Sequence, residues 1–162
     1  MQRIAIYLVI ALIFVVGAFY LRAVTAGHDP EEWHVDPFLI SRPITPNTYY
    51  VAPQGMVEAK TDLGAPIYSA PAAIMAKAFD DFVLTQSNTI RLAGSVEEGW
   101  LTYVQRTPVM RMPDYISIKF IDFDDGGSTI AIYSRSRFGH GDMGVNKARV
   151  DLWLQSLSSF EE

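Results

Sequence analysis

The sequence predicts an α+β protein, with an N-terminal transmembrane helix followed by an antiparallel β-meander sheet that carries two helices packed on one face. Three observations lead there. Residues 4–21 run for 18 residues without a charge. Residues 100–137 hold three β-rich segments, the last two joined by Asp124-Asp125-Gly126-Gly127. Apolar residues recur at helical spacing on both sides of this region, over 74–82 and 150–157.

The apolar run is long enough, at its lower limit, to cross a hydrocarbon core of about 30 Å, and residues 1–26 are read as a membrane anchor. A cleaved signal peptide is the alternative, with Val24-Thr25-Ala26 as the small-residue site. Against it, the run exceeds the apolar stretch of about 7–15 residues in such peptides, and Arg22 separates it from the site. Arg3 and the amino group lie on one side, and Arg22 followed by Asp29, Glu31 and Glu32 on the other. Acidic residues contribute little to the positive-inside bias. The expectation is a single-pass protein of the bacterial inner membrane with its soluble domain in the periplasm.

Residues 27–56 contain five prolines and hold neither helical nor strand periodicity, which predicts an extended arm with turns. Trp33, Phe38, Tyr49 and Tyr50 argue that the arm lies on the domain of residues 57–162. The first soluble helix should start near Ser69 as N-cap, with Pro71 in its first turn and Ile74, Met75, Ala78, Phe79 and Phe82 on one face. Strands are expected at 88–94, 100–106, 115–123 and 129–137, forming a curved sheet of about four strands. Asp124 to Gly127 supply the hairpin turn. In the closing helix Val150, Trp153, Leu154 and Leu157 fall at i, i+3, i+4 and i+7, the stripe that lies on a sheet.

The formal net charge is −5. With Arg3 and Arg22 set aside, residues 23–162 carry 11 basic and 18 acidic side chains, a net of −7. That balance speaks against a nucleic-acid partner. The chain has no cysteine, which removes disulfides, thiolate metal sites and cysteine nucleophiles.

Four basic residues, Arg135, Arg137, Lys147 and Arg149, concentrate near the end of this acidic chain. Strand parity places Tyr133, Arg135 and Arg137 opposite Ile130 and Ile132, with Lys119 of the neighbouring strand on the same side. Arg135, Arg137, Lys119 and Tyr133 are therefore the candidate anion site, since paired guanidinium groups near a helix N-terminus can hold a carboxylate or phosphate. The alternative is that the arginines pair with Asp142 and fix the turn. Asp142 reads as a helix cap or, less simply, as a catalytic carboxylate. Gly139, Gly141 and Gly144 match a G-x-G-x-x-G spacing, but no parallel βαβ unit follows, so they read as turn glycines. Ser136, His140 and Asp142 would be a nucleophile, base and orienter only if they converged, and Ser136 should face the core. His28, His34 and Asp36 lack ligand spacing. Asp122, Asp124 and Asp125 lack the rest of a calcium loop. No metal and no cofactor is implied.

The run I-Y-S-R-S-R-F-G-H-G-D-M-G-V-N-K-A-R-V, with W-H-V-D-P at 33–37, L-A-G-S at 92–95, T-Y-V-Q-R at 102–106 and P-D-Y-I-S-I at 113–118, resembles the bacterial domain of unknown function 1499. The closing motif here is Ser134, Arg135, Ser136, Arg137, Gly139, Asp142, Gly144 and Asn146, followed by Lys147 and Arg149. The resemblance implies a compact domain with a structural turn at Gly139, Asp142, Gly144 and Asn146, and it implies no reaction.

The functional expectation is a non-enzymatic, membrane-anchored envelope protein whose domain binds a small anionic molecule or an envelope protein. A hydrolase acting on an envelope component, through Asp142 or His140, and a structural envelope assembly protein are the alternatives.

Overall fold

The computed structural model describes residues 2–41 and 45–161. The predicted arm, 27–56, is described on either side of 42–44, which lie outside the described residues. The elements are α1 (Gln2–Val24), α2 (Pro30–Trp33), β1 (Thr48–Ala52), β2 (Leu63–Gly64), β3 (Ile67–Tyr68), α3 (Ala72–Val83), β4 (Thr89–Ser95), β5 (Trp100–Arg106), β6 (Pro113–Asp122), β7 (Ser128–Ser136) and α4 (Val145–Gln155), with a 3-10 turn at Ser158–Phe160. The fold is α+β. α1 is long and apolar enough to cross a membrane, and only Ala23 of it is buried.

Strands β4 to β7 form the antiparallel meander, and α3 and α4 pack on one face of it. Ile116, Ile118, Phe120, Ile130 and Ile132 meet Met75, Phe79, Val150, Trp153 and Leu157 in this core. Trp153 is central, with the Phe79 and Tyr103 rings at 5.8 and 5.9 Å, both edge-on. Within β4 the register shifts between Arg91 and Ala93. Gly94, at φ +79, sits where a Cβ would lie 1.9 Å from the Trp100 carbonyl oxygen, so this close approach admits only glycine.

The sheet is larger than the four strands expected. It has seven, in the order β2-β1-β7-β6-β5-β4, with β3 pairing β7 off that path. The additional strands come from the segment with no readable period: β1 runs antiparallel to β7 and parallel to β2. Every residue of β1 is buried, so Thr48–Ala52 of the arm is an inner strand of the sheet.

Helix α3 also departs from expectation at its start. Pro71 is the N-cap, and Ser69 Oγ donates to the Phe160 carbonyl. The capping oxygen comes instead from Asp122 Oδ1, which accepts from Ala72 N at 2.6 Å. The buried face is Ala72, Met75, Ala76, Phe79, Asp80 and Val83, which leaves Ile74 54% exposed. Asp80 is tolerated on this face because Tyr103 Oη donates to it at 2.9 Å.

Candidate functional site

Parity does carry Lys119, Tyr133 and Arg135 to the face opposite the core, but that face is covered. A second apolar layer of Tyr50, Ala52, Ala131 and Tyr133 lies there under Val35, Phe38 and Ile40 of the arm. Trp33 stacks on Tyr115 at 3.7 Å, and His34 on Trp100 at 4.1 Å. Arg135 is 8% exposed. Its Nη2 donates to the Trp33 carbonyl at 2.6 Å, and its Nη1 to Ser117 Oγ and the Tyr133 carbonyl at 3.3 Å each. The Tyr133 and Trp33 rings lie 4.8 and 5.4 Å from its guanidinium carbon. Burial pushes the Arg135 pKa down to about 10. Lys119 pairs with Asp36 of the arm at 2.5 Å. Arg137 donates through Nη1 to the Gly27 carbonyl and to Tyr115 Oη. The arm thus lays its own oxygens on all three predicted cationic groups, and neither arginine pairs with Asp142.

Two histidines fasten the same arm. His28 Nδ1 lies 2.8 Å from Tyr115 Oη, and its Nε2 lies 2.9 Å from Arg106 Nη2. His34 Nδ1 lies 2.8 Å from Thr102 Oγ1. Burial lowers both pKa values. Arg106 and Arg137 lower that of His28 further, whereas Glu98 and Asp36 partly oppose the shift at His34. A neutral imidazole with a depressed pKa stabilises the folded state fully above the unfolded value of about 6.5, and that contribution is lost as pH falls through the folded pKa. Limited proteolysis of the arm should therefore accelerate as pH drops from about 7 to about 5, and His28→Gln/His34→Gln should flatten the profile. A profile equally steep in the double variant would assign the pH dependence to other groups.

The turn after β7 builds a buried polar cluster. Asp142 Oδ2 accepts from Asn146 N at 2.7 Å and Oδ1 from Gly144 N at 3.0 Å, the work of a helix cap. Gly139 and Gly144 take φ values of +88 and +82. Asn146 donates to the Asn47 carbonyl and to Ser136 Oγ, and its Oδ1 accepts from Ser134 Oγ and Arg149 Nη1. Arg149 pairs with Asp114 at 2.5 Å. Lys147, in contrast, is an exposed partner of Asp151. Ser136, His140 and Asp142 form no relay: Ser136 and Asp142 bond to Asn146, and His140 is exposed. Asp122 caps α3 and Asp125 accepts from Gly127 N. Among the described residues no group of three His, Asp or Glu side chains is placed to hold a metal ion.

One apolar concavity among the described residues is not indicated by periodicity. A groove of about 400 Å3 lies between the loop after β5 and the turn before α4, and Phe19 of α1 forms part of its wall. Val109, Met112, Phe138, Met143 and Val145 are among the other residues that line it. Phe19 meets Phe138 edge-on at 5.8 Å. Arg106 fixes the helix end beside it, donating through Nη1 to the Ala23 carbonyl at 2.8 Å and through Nη2 to that of Ala26 at 3.3 Å. Val109 is 80% exposed, and Met143, at a φ of +53, projects fully into solvent. The signal available in the sequence was five apolar side chains, Val109, Met110, Met112, Phe138 and Met143, in segments otherwise rich in turn residues.

The search of curated proteins found no match to this chain. A family profile does match, over residues 39–157, which spans every strand of the sheet together with α3 and α4. The chain belongs to the family described as Protein of unknown function (DUF1499).

Proposed function

We propose that the protein is a membrane-anchored, non-enzymatic binding domain whose ligand site is the apolar groove beside α1, held against the outer surface of the bacterial inner membrane. The observation that carries this is the presence of Phe19, a residue of the apolar helix, in the wall of a groove built from two loops of the folded domain. Residues 4–21 span about 27 Å as a helix, and Phe19 lies two residues from the end of that run. The groove mouth therefore meets the boundary between hydrocarbon and headgroups. Exposed Val109 and Met143 would lie at that boundary and lose contact with water there. A concave, largely apolar site of this volume suits an alkyl ligand. Lys119 and Arg135 serve in this reading as fasteners of the arm.

The test is photolabelling of the full chain in lipid nanodiscs with a diacylglycerol that carries a photoreactive acyl chain. Labels should concentrate on residues 107–112 and 138–145. Met110→Asp/Met143→Asp should reduce labelling by roughly tenfold, since a charge in an apolar slot is strongly disfavoured. Labels confined to α1, or unaffected by the double variant, would overturn the reading.

A further inference from the structure

The rim of this groove points to a chemical class of ligand, an inference that rests on the groove being the binding site. We propose that the groove takes one acyl chain of an anionic phospholipid and that Arg22 and Arg137 together hold its phosphate. Phe19 and Arg22 are three residues apart on α1 and so share a helix face. Both address the same ring: Phe19 lies edge-on to Phe138, and the Arg22 guanidinium carbon is 5.8 Å from the Phe138 centroid. The Arg137 guanidinium carbon is also 5.8 Å from that centroid. Phe138 therefore forms the groove wall and, at the same time, the platform between two guanidinium groups.

Both cations keep donors free for a ligand. Arg22 is exposed and its side chain makes no hydrogen bond with any described residue. Arg137 uses only Nη1, on the Gly27 carbonyl and Tyr115 Oη, so its Nη2 and Nε have no acceptor among the described residues. A phosphate is the acceptor that matches such forked donors. Of the two carboxylates that line the groove, one is neutralised by a buried partner, and the other is a helix cap whose charge the two arginines must outweigh. Asp114 is paired with Arg149, and both oxygens of Asp142 accept backbone N–H groups. Arg106 and Arg111 stand close by: Arg106 donates to the Arg111 carbonyl at 2.7 Å, and Arg111 and Arg137 both depress its pKa after burial has done so. This local excess of positive charge, in a soluble part with net charge −7, lies at the end of the apolar helix, where headgroup phosphates are found.

Native mass spectrometry of the full chain in mild detergent, titrated with dioleoyl phosphatidylglycerol, dioleoyl phosphatidylcholine, dioleoylglycerol and glycerol 3-phosphate, separates the possibilities. The wild type should prefer phosphatidylglycerol over dioleoylglycerol by roughly tenfold, as two surface arginines would give, and should not retain glycerol 3-phosphate, which lacks the chain. Arg22→Gln/Arg137→Gln should lose the preference for phosphatidylglycerol over dioleoylglycerol. Arg22→Gln alone, which removes no hydrogen bond of the fold, should lose part of it. Equal binding of phosphatidylglycerol and dioleoylglycerol by the wild type would overturn the phosphate assignment and leave the groove intact as an apolar site. Retention of glycerol 3-phosphate with no dioleoylglycerol bound would overturn both. A phosphatidylglycerol preference unchanged in the variants would place the phosphate elsewhere.

Discussion

Arg149→Ala should destabilise the domain by about 3–5 kcal/mol, the usual consequence of removing one partner of a buried ion pair. The Arg149 and Asp114 side chains are only 5% and 3% exposed. All three guanidinium nitrogens are engaged: Nη2 with Asp114 at 2.5 Å, Nη1 with Asn146 Oδ1 at 2.6 Å and Ser134 Oγ at 3.2 Å, and Nε with Gln105 Oε1 at 2.5 Å. Truncation therefore strands a carboxylate that is almost fully buried, and it removes the polar links from α4 to β5, β6 and β7 at once. Thermal unfolding of the full chain in detergent, followed by near-ultraviolet circular dichroism, should show a fall in Tm on the order of 10 °C or more. Arg149→Met/Asp114→Leu removes both charges at similar volume and should recover more than half of the loss, because the desolvation cost of the pair disappears with it. If Arg149→Ala stayed within about 1 kcal/mol of the wild type, the cluster would not be what holds α4 on the sheet.

This cluster also shows how far local sequence reaches. The meander was legible because alternation and the Asp124–Gly127 turn are local signals, and β5 begins and ends at the residues expected, Trp100 and Arg106. The stripe on α4 was legible for the same reason: Val150, Trp153 and Leu154 are buried on it, and Leu157 is buried just beyond its end. Arg149 shares that helix but is buried by partners 35 and 44 positions away, Asp114 and Gln105, which no window of sequence reveals. The cap of α3 fails the same way: Asp122 arrives from 50 residues downstream and displaces the nearby Ser69. β1 was hidden because its five residues stand between prolines and are buried on both faces, so no alternation marks them. The groove was hidden because its walls are loops and one turn of the apolar helix, which meet only in the folded protein. Parity placed Arg135 correctly on the second face of the sheet. It could not say that Trp33, 102 residues earlier, would supply the acceptor.

Arg135→Ala should cost about 2–3 kcal/mol and release the arm. Among the described residues no carboxylate forms an ion pair with Arg135, so the buried cation is held by three neutral oxygens and two aromatic faces, with Glu32 adding a weaker attraction. The downward displacement of its pKa has burial as its largest cause, which means the fold carries a desolvation cost for this charge at neutral pH. Alanine relieves that cost but leaves a hole beneath Trp33 and removes the donor from its carbonyl, and these two losses should dominate. Arg135→Met separates the contributions. It fills most of the hole without a charge, so it should be at least about 1 kcal/mol more stable than Arg135→Ala. Release of the arm is read by limited proteolysis within residues 27–41 and by the fluorescence of Trp33 once it leaves Tyr115. Retention of dioleoylglycerol, the ligand class proposed for the groove, supplies the decisive contrast, since Arg135 does not line the groove. Loss of arm protection with lipid retention unchanged would fix Arg135 as a fastener. An alanine variant as stable as the wild type, with its arm still protected, would remove that role and make the arginine face available again as an anion site.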